Sequence, residues 1–150
     1  MEIQQLNSGT DPERILISVK NVDGGGSITT GMGVCLVLTA ASGDGAGAVR
    51  ATKALSRGFV GVAKADIAIN AFGLVTSWGY AASVLISQSV GSWTITAGDC
   101  LQTGGTGAFT SVLLLENLST MCSRFVIQVS SLSDTISNPL QYVKGIVRAI

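Results

Sequence analysis

Arg14-Ile15-Leu16-Ile17-Ser18-Val19-Lys20-Asn21, followed one residue later by Asp23-Gly24-Gly25-Gly26, is the stretch that decides the fold class. Its first eight residues are rich in β-branched side chains, which lose rotamer freedom in a helix and pack well on a pleated strand. The three consecutive glycines behind Asp23 permit positive φ at no steric cost, so the strand closes in a turn. The rest of the chain repeats this rhythm of short apolar runs set off by Gly, Ser, Asn and Asp, which is the signature of an all-β protein.

Working outward, Gly33 to Thr39 (G-V-C-L-V-L-T) is a continuous apolar run and predicts a strand buried on both faces. Ser42 to Gly47 (S-G-D-G-A-G) is a loop. Ala48 to Ala54 alternates small or apolar with polar residues and favours a half-exposed strand. The alternative is a short helix from Val49 to Arg57, closing at Gly58, with Arg50, Lys53 and Arg57 on one face. Phe59 to Ala63 is another buried strand. Leu74 to Trp78 and Ala81 to Ser87 form two strands hinged at Gly79. Further strands are expected at Trp93 to Thr96, Cys100 to Thr103, Val112 to Glu116, Phe125 to Ser130 and Tyr142 to Ile150, the last after a turn at Pro139. A helical turn is allowed at Leu118 to Cys122, and no long amphipathic helix has caps. Ser27-Ile28-Thr29-Thr30-Gly31 echoes Thr94-Ile95-Thr96-Ala97-Gly98, and each precedes a Cys-Leu pair, so two similar hairpin corners recur.

The expectation is a small β-barrel or a β-tulip or sandwich with short hairpins and little helix. Its 150 residues fit one domain, 13–150, that buries about two thirds of its extended-chain surface. The polar segment 1–12 lacks periodicity and reads either as a frayed tail or as an extended arm that adds a strand to a partner's sheet edge.

Composition narrows the function. Hydrophobic residues make up 47% and charged residues only 12%, half the share usual for a globular domain. Membrane insertion needs roughly 18 consecutive apolar residues. The best window, Ile67 to Ile86, is broken by Asn70, Gly73, Thr76, Ser77, Gly79 and Ser83. No signal peptide is visible at Met1-Glu2-Ile3-Gln4. Burial in an assembly is the better account, because obligate interfaces resemble a domain core cut in half. Nine basic residues balance nine acidic ones, which argues against direct nucleic-acid binding, although Arg50, Lys53, Arg57 and Lys64 fall within fifteen positions. That cluster is a solvated rim or a contact with an acidic partner.

Chemistry is scarce. The chain has no histidine, so Ser-His-Asp and Cys-His catalysis are outside its reach and the commonest metal ligand is missing. Cys35, Cys100 and Cys122 are scattered and make no zinc motif, and they read as small hydrophobes in a reducing compartment. The acids, among them Asp66 and Asp99, sit beside glycines or at strand ends, where aspartate favours turns. Gly43-Asp44-Gly45-Ala46-Gly47 lacks the dinucleotide-loop spacing, and neither it nor Gly104-Gly105-Thr106-Gly107 is followed by the P-loop lysine. No catalytic residue, cofactor site or metal site is assigned. Trp78 and Tyr80 alternate along one strand and so share a face, with Trp93 near in sequence.

Two stretches carry a family resemblance. One is Phe59-Val60-Gly61-Val62-Ala63 with Asp66-Ile67-Ala68, Gly73-Leu74-Val75 and Trp78-Gly79, and the other is Ile95-Thr96-Ala97-Gly98-Asp99-Cys100-Leu101. The pattern resembles the capsid cement, or head decoration, proteins of tailed bacteriophages. Val143-Lys144-Gly145-Ile146-Val147-Arg148-Ala149-Ile150 likewise looks like their terminal strand, so the resemblance covers about residues 48 to 150. It implies a non-enzymatic virion structural protein, assembled in the bacterial cytoplasm. Such a protein forms a homo-oligomer, dimer or trimer, and binds the outer surface of the major capsid protein shell. Trp78, Tyr80 and Trp93 with Arg50, Lys53 and Arg57 are the candidate partner contacts. The rival readings are a carbohydrate- or receptor-binding module of a tail or fibre and, more remotely, a histidine-free enzyme using Asp66 and Asp99.

Overall fold

A computed structural model of the chain describes residues 3–6, 14–37, 47–52, 58–87, 92–95, 97–98, 100–103, 107–111, 126–128, 132–135 and 140–149. It is all-β, with twelve strands and no α-helix among the described residues. The strands are β1 (Ile3–Leu6), β2 (Arg14–Asn21), β3 (Gly33–Leu36), β4 (Gly47–Arg50), β5 (Phe59–Ala63) and β6 (Phe72–Ser87). They continue as β7 (Ser92–Ile95), β8 (Cys100–Thr103), β9 (Phe109–Ser111), β10 (Val126–Gln128), β11 (Leu132–Thr135) and β12 (Leu140–Arg148). Ten of them share one mixed sheet, while β7 and β11 pair with each other in a separate two-stranded sheet.

The pairings close on themselves twice. One circuit runs β2, β4, β3, β5, β6 and back to β2. The other runs β6, β12, β10, β8, β9 and back to β6 through Ile86 and Phe109. The sixteen-residue β6 belongs to both. Its first half lies against β2 and its second half against β12. The sequence expectation of two strands hinged at Gly79 is therefore corrected. Gly79 does take a positive φ of 95°, but the strand runs on through it because both neighbours keep their ladder.

Each circuit has an apolar filling. Ile17, Val19, Ile28, Val34, Ala63, Ile67 and Val75 pack in one cluster. Cys35, Phe59, Val62, Val84, Ile86, Leu101, Val126, Val143 and Val147 pack in the other. Neighbours on β3, Val34 and Cys35, fall in different clusters, and so do Val62 and Ala63 on β5. These strands lie between the two cores, so both faces are buried, as their unbroken apolar runs predict. Burial pushes the Cys35 thiol up to about 12, which leaves it a packing residue and not a nucleophile. Cys100 is half-buried at the start of β8, and Cys122 lies outside the described residues.

Gly61 shows how closely the backbones approach between the cores. It sits at a bulge where Val34 and Cys35 of β3 face Gly61 and Phe59, skipping Val60. Its φ is 146°, and a Cβ there would run into the Thr76 carbonyl of β6. Only glycine fits both demands.

Other expectations divide clearly. Val49 and Arg50 lie in β4, so the helix from Val49 to Arg57 is replaced by the strand alternative over its described part. Ile3–Leu6 is a strand paired antiparallel with β2 of its own chain, from Ile3 opposite Ile17 to Leu6 opposite Arg14. β11 was not anticipated from the sequence, and β12 starts at Leu140, earlier than Tyr142. The expected strand at Val112 to Glu116, the turns at Leu118 to Cys122 and Pro139, and most of the Ser42 to Gly47 loop lie outside the described residues.

Candidate functional site

The outward face of β6 and β12 is built by strand alternation. On β12, Val143, Gly145 and Val147 point inward and are buried, whereas Leu140, Tyr142, Lys144, Ile146 and Arg148 are exposed. Period two puts these five side chains in one row. β6 lies beside it with Tyr80 opposite Ile146 and Trp78 opposite Arg148. Residues directly opposite in an antiparallel ladder share a face. The row therefore widens into a patch of Trp78, Tyr80, Ile146 and Arg148.

Trp78 occupies the seam between the two halves of β6. It faces Ile15 of β2 on one side and Arg148 of β12 on the other. Ile15 pairs with Trp78 and Leu16 with Thr76, so Ser77 is the extra residue of a bulge. The Ser77 hydroxyl is buried without a hydrogen-bond partner, although its carbonyl accepts from the Ala149 amide at 3.0 Å. Bulges re-aim neighbouring side chains, and this one sits directly beneath the tryptophan. The Arg14 guanidinium lies over the Tyr80 ring, 5.3 Å from its centroid. The ring face takes up part of the positive charge of a side chain whose Nε is buried without a hydrogen bond.

The exposures are large for apolar residues: Tyr142 58%, Leu140 46%, Ile146 38% and Trp78 36%. Tyr142 packs one ring edge over Gly31, where a Cβ would come within 3.1 Å of Cε1. A second apolar group, Val22, Ile69 and Phe72, is exposed beside the Asn21 turn, with Phe72 opposite Lys20.

The six contacts expected from the sequence separate. Trp78 and Tyr80 share the patch. Trp93 lies in β7, whose ladder partner is Asp134 of β11, so it is not on the β6 ladder. Arg50 is committed elsewhere: its Nε and Nη2 donate to Asp23 Oδ2 and Oδ1 at 2.8 and 3.3 Å. That fork holds the Asp23 carboxyl down at about 2, helped by the Gly25 and Arg50 amides against the opposing effect of burial. Lys53 and Arg57 lie outside the described residues. The β12 members of the patch were missed, although the alternation Leu140, Tyr142, Lys144, Ile146, Arg148 against Val143, Gly145, Val147 was available to read.

Asp66 accepts from the Thr30 amide and hydroxyl at 2.7 and 2.9 Å, which lowers its pKa. It serves a turn, and Asp99 lies outside the described residues. No group of three metal-ligating side chains stands close enough to hold an ion among the described residues. No described helix is long and apolar enough to cross a membrane. The arrangement offers a surface for contact: aromatic rings, aliphatic side chains and guanidinium groups in line, on a rigid ladder. No protein-family model matches the chain, and no curated protein matches it.

Proposed function

We propose that this chain is a virion structural protein that decorates the outer surface of a tailed-phage capsid, where its β6–β12 face binds the shell of the major capsid protein. The observation that carries the reading is the row of exposed Trp78, Leu140, Tyr142 and Ile146 in a chain with only 12% charged residues. Contiguous exposed apolar side chains mark interaction surfaces, and tryptophan, tyrosine and arginine are the residues that dominate interface energies. The sequence resemblance supplies the identity of the partner. The mechanism is linkage: a protein that binds only the assembled shell stabilises the shell by mass action. Attachment through a dimer or trimer multiplies the effect, because the second contact becomes intramolecular. The protein then resides on the particle surface after assembly in the bacterial cytoplasm, and needs neither cofactor nor catalytic group.

The test is cosedimentation of the purified chain with shells assembled from the major capsid protein of its own genome, set against unassembled subunits of the same protein. Binding to shells alone, with a rise in the temperature at which the shells open, is the expected result. Binding to neither ends the proposal. The exposed aromatics also favour a second reading, a carbohydrate-binding module of a tail or fibre, since rings of this kind stack on sugars. Signal on a glycan array that Trp78→Ala abolishes, with no shell binding, would select that reading.

A further inference from the structure

Among the described residues, the β6–β12 face carries charge of one sign. Lys144 and Arg148 alternate with Leu140, Tyr142 and Ile146 along β12, and Arg14 lies over Tyr80 at the margin. The described aspartates with assigned side-chain partners are held elsewhere, Asp23 by Arg50 and Asp66 by Thr30. From Leu140 to Arg148 the row spans about 26 Å at the usual rise of an antiparallel strand. That length suits a protein contact, because small-ligand sites are concave and this face is the outside of a strand pair.

Its symmetry argues against a second copy. Homodimer contacts are two-fold and self-complementary. In such a contact this face meets a copy of itself, so the row that carries Lys144 and Arg148 is set against another basic row. Like charges juxtaposed in an interface are strongly unfavourable. We infer that the β6–β12 face docks an acidic protein surface and is not a two-fold contact through which the chain pairs with itself. The inference deepens the shell-binding reading and rests on it only for the identity of the partner. Any two-fold dimer of the chain then uses another surface, and shell attachment and that pairing are separable.

The experiment uses the full chain and a random glutamate–tyrosine copolymer as the acidic probe, with binding followed at low salt by tryptophan fluorescence and oligomeric state by sedimentation velocity. K144E with R148E reverses the row, and K20E with K64E makes the same change in net charge elsewhere. Wild type and the K20E–K64E control are expected to bind alike, the reversed row about tenfold more weakly or worse, and all three to keep one oligomeric state. Should the reversals unfold the chain, K144Q with R148Q gives the same comparison with a smaller loss. Wild type ignoring the copolymer, the control losing as much as the row variant, or the row variant changing oligomeric state overturns the inference. Shells added in place of the copolymer separate the two claims. Copolymer binding without shell binding leaves the inference standing and ends the capsid reading. Shell binding untouched by the reversal does the opposite.

Discussion

The Asn21 corner and the β6–β12 face both leave apolar side chains exposed, Val22, Ile69 and Phe72 at the one and Trp78, Leu140, Tyr142 and Ile146 at the other, but they treat their polar groups in opposite ways. At the corner Asn21, Asp23 and Arg50 bond within the molecule. Asn21 is fully buried; its amide nitrogen donates to the Ile67 and Gly26 carbonyls at 2.9 and 3.1 Å, and its oxygen accepts from the Asp23 amide at 2.9 Å. Asp23 then holds Gly25 and Arg50, and a side chain on Gly25 would run into the guanidinium. At the face, four large apolar side chains are left in solvent and the basic groups of β12 point outward. The polar groups of the corner are used in folding; the basic groups of the face are left over by it. A corner mutation should therefore cost stability, and a face mutation should cost association.

The largest effect is expected from Asn21→Ala, which removes three hydrogen bonds: the Gly26 carbonyl and the Asp23 amide lose the Asn21 side chain, and the Ile67 carbonyl keeps only the Ile28 amide. A loss of roughly 3 kcal/mol, read as a lower urea midpoint at unchanged slope, follows from the price of unpaired buried groups. A loss under about 1 kcal/mol would mean that the corner is dispensable and the contrast is wrong.

Next, Trp78→Ala should weaken shell binding by about 2 kcal/mol, near thirtyfold, while moving the unfolding midpoint little, since central interface tryptophans dominate binding. Equal losses in both measurements would make Trp78 a core residue that happens to be visible.

A smaller effect separates Asp23 by pH. Its carboxyl is held at about 2 in the folded chain against 3.8 as the ordinary value. A depressed carboxylate stabilises the fold above the unfolded value and loses that contribution as pH falls from about 4 to 2. With solvent screening the contribution is roughly 1 kcal/mol. Urea titrations across that window should show the decline, and Arg50→Gln should flatten most of it. An unchanged slope in the variant would assign the acid sensitivity to other carboxylates.

The smallest effect is expected from Ile146→Ser: a stability change within about 0.5 kcal/mol, because surface positions away from special features tolerate substitution. A change above about 1 kcal/mol in thermal or urea unfolding would show that the face is packed against something within the chain.

What was legible in the sequence follows the strength of local signals. β2, β5 and β8 lie where the β-branched and apolar runs place them, from Arg14 to Asn21, Phe59 to Ala63 and Cys100 to Thr103. The double burial of β3 was legible because no polar residue interrupts Gly33 to Leu36. β6 was divided because glycine ordinarily punctuates strands, and only the ladders on both sides reveal that Gly79 is carried through. β1 and β11, I-Q-Q-L and L-S-D-T, are too short and polar to stand out locally, and their pairing supplies what their sequence lacks. Of the site, the shared face of Trp78 and Tyr80 was readable from their spacing. That β12 completes the patch depends on pairing between residues more than sixty positions apart, which no local pattern encodes. The sequence places Arg50 in a solvated rim or a partner contact because its actual partner, Asp23, is 27 positions away.

One feature of the architecture bears on how the molecule comes apart. A strand that is common property of two closed hydrogen-bond circuits works like the shared link of two chains. A loosened link weakens both loops at once. Melting should therefore be a single event, with amide protons in the middle of Phe72–Ser87 among the last to exchange in either half, and a cut at Gly79 should yield two fragments that cannot hold shape alone.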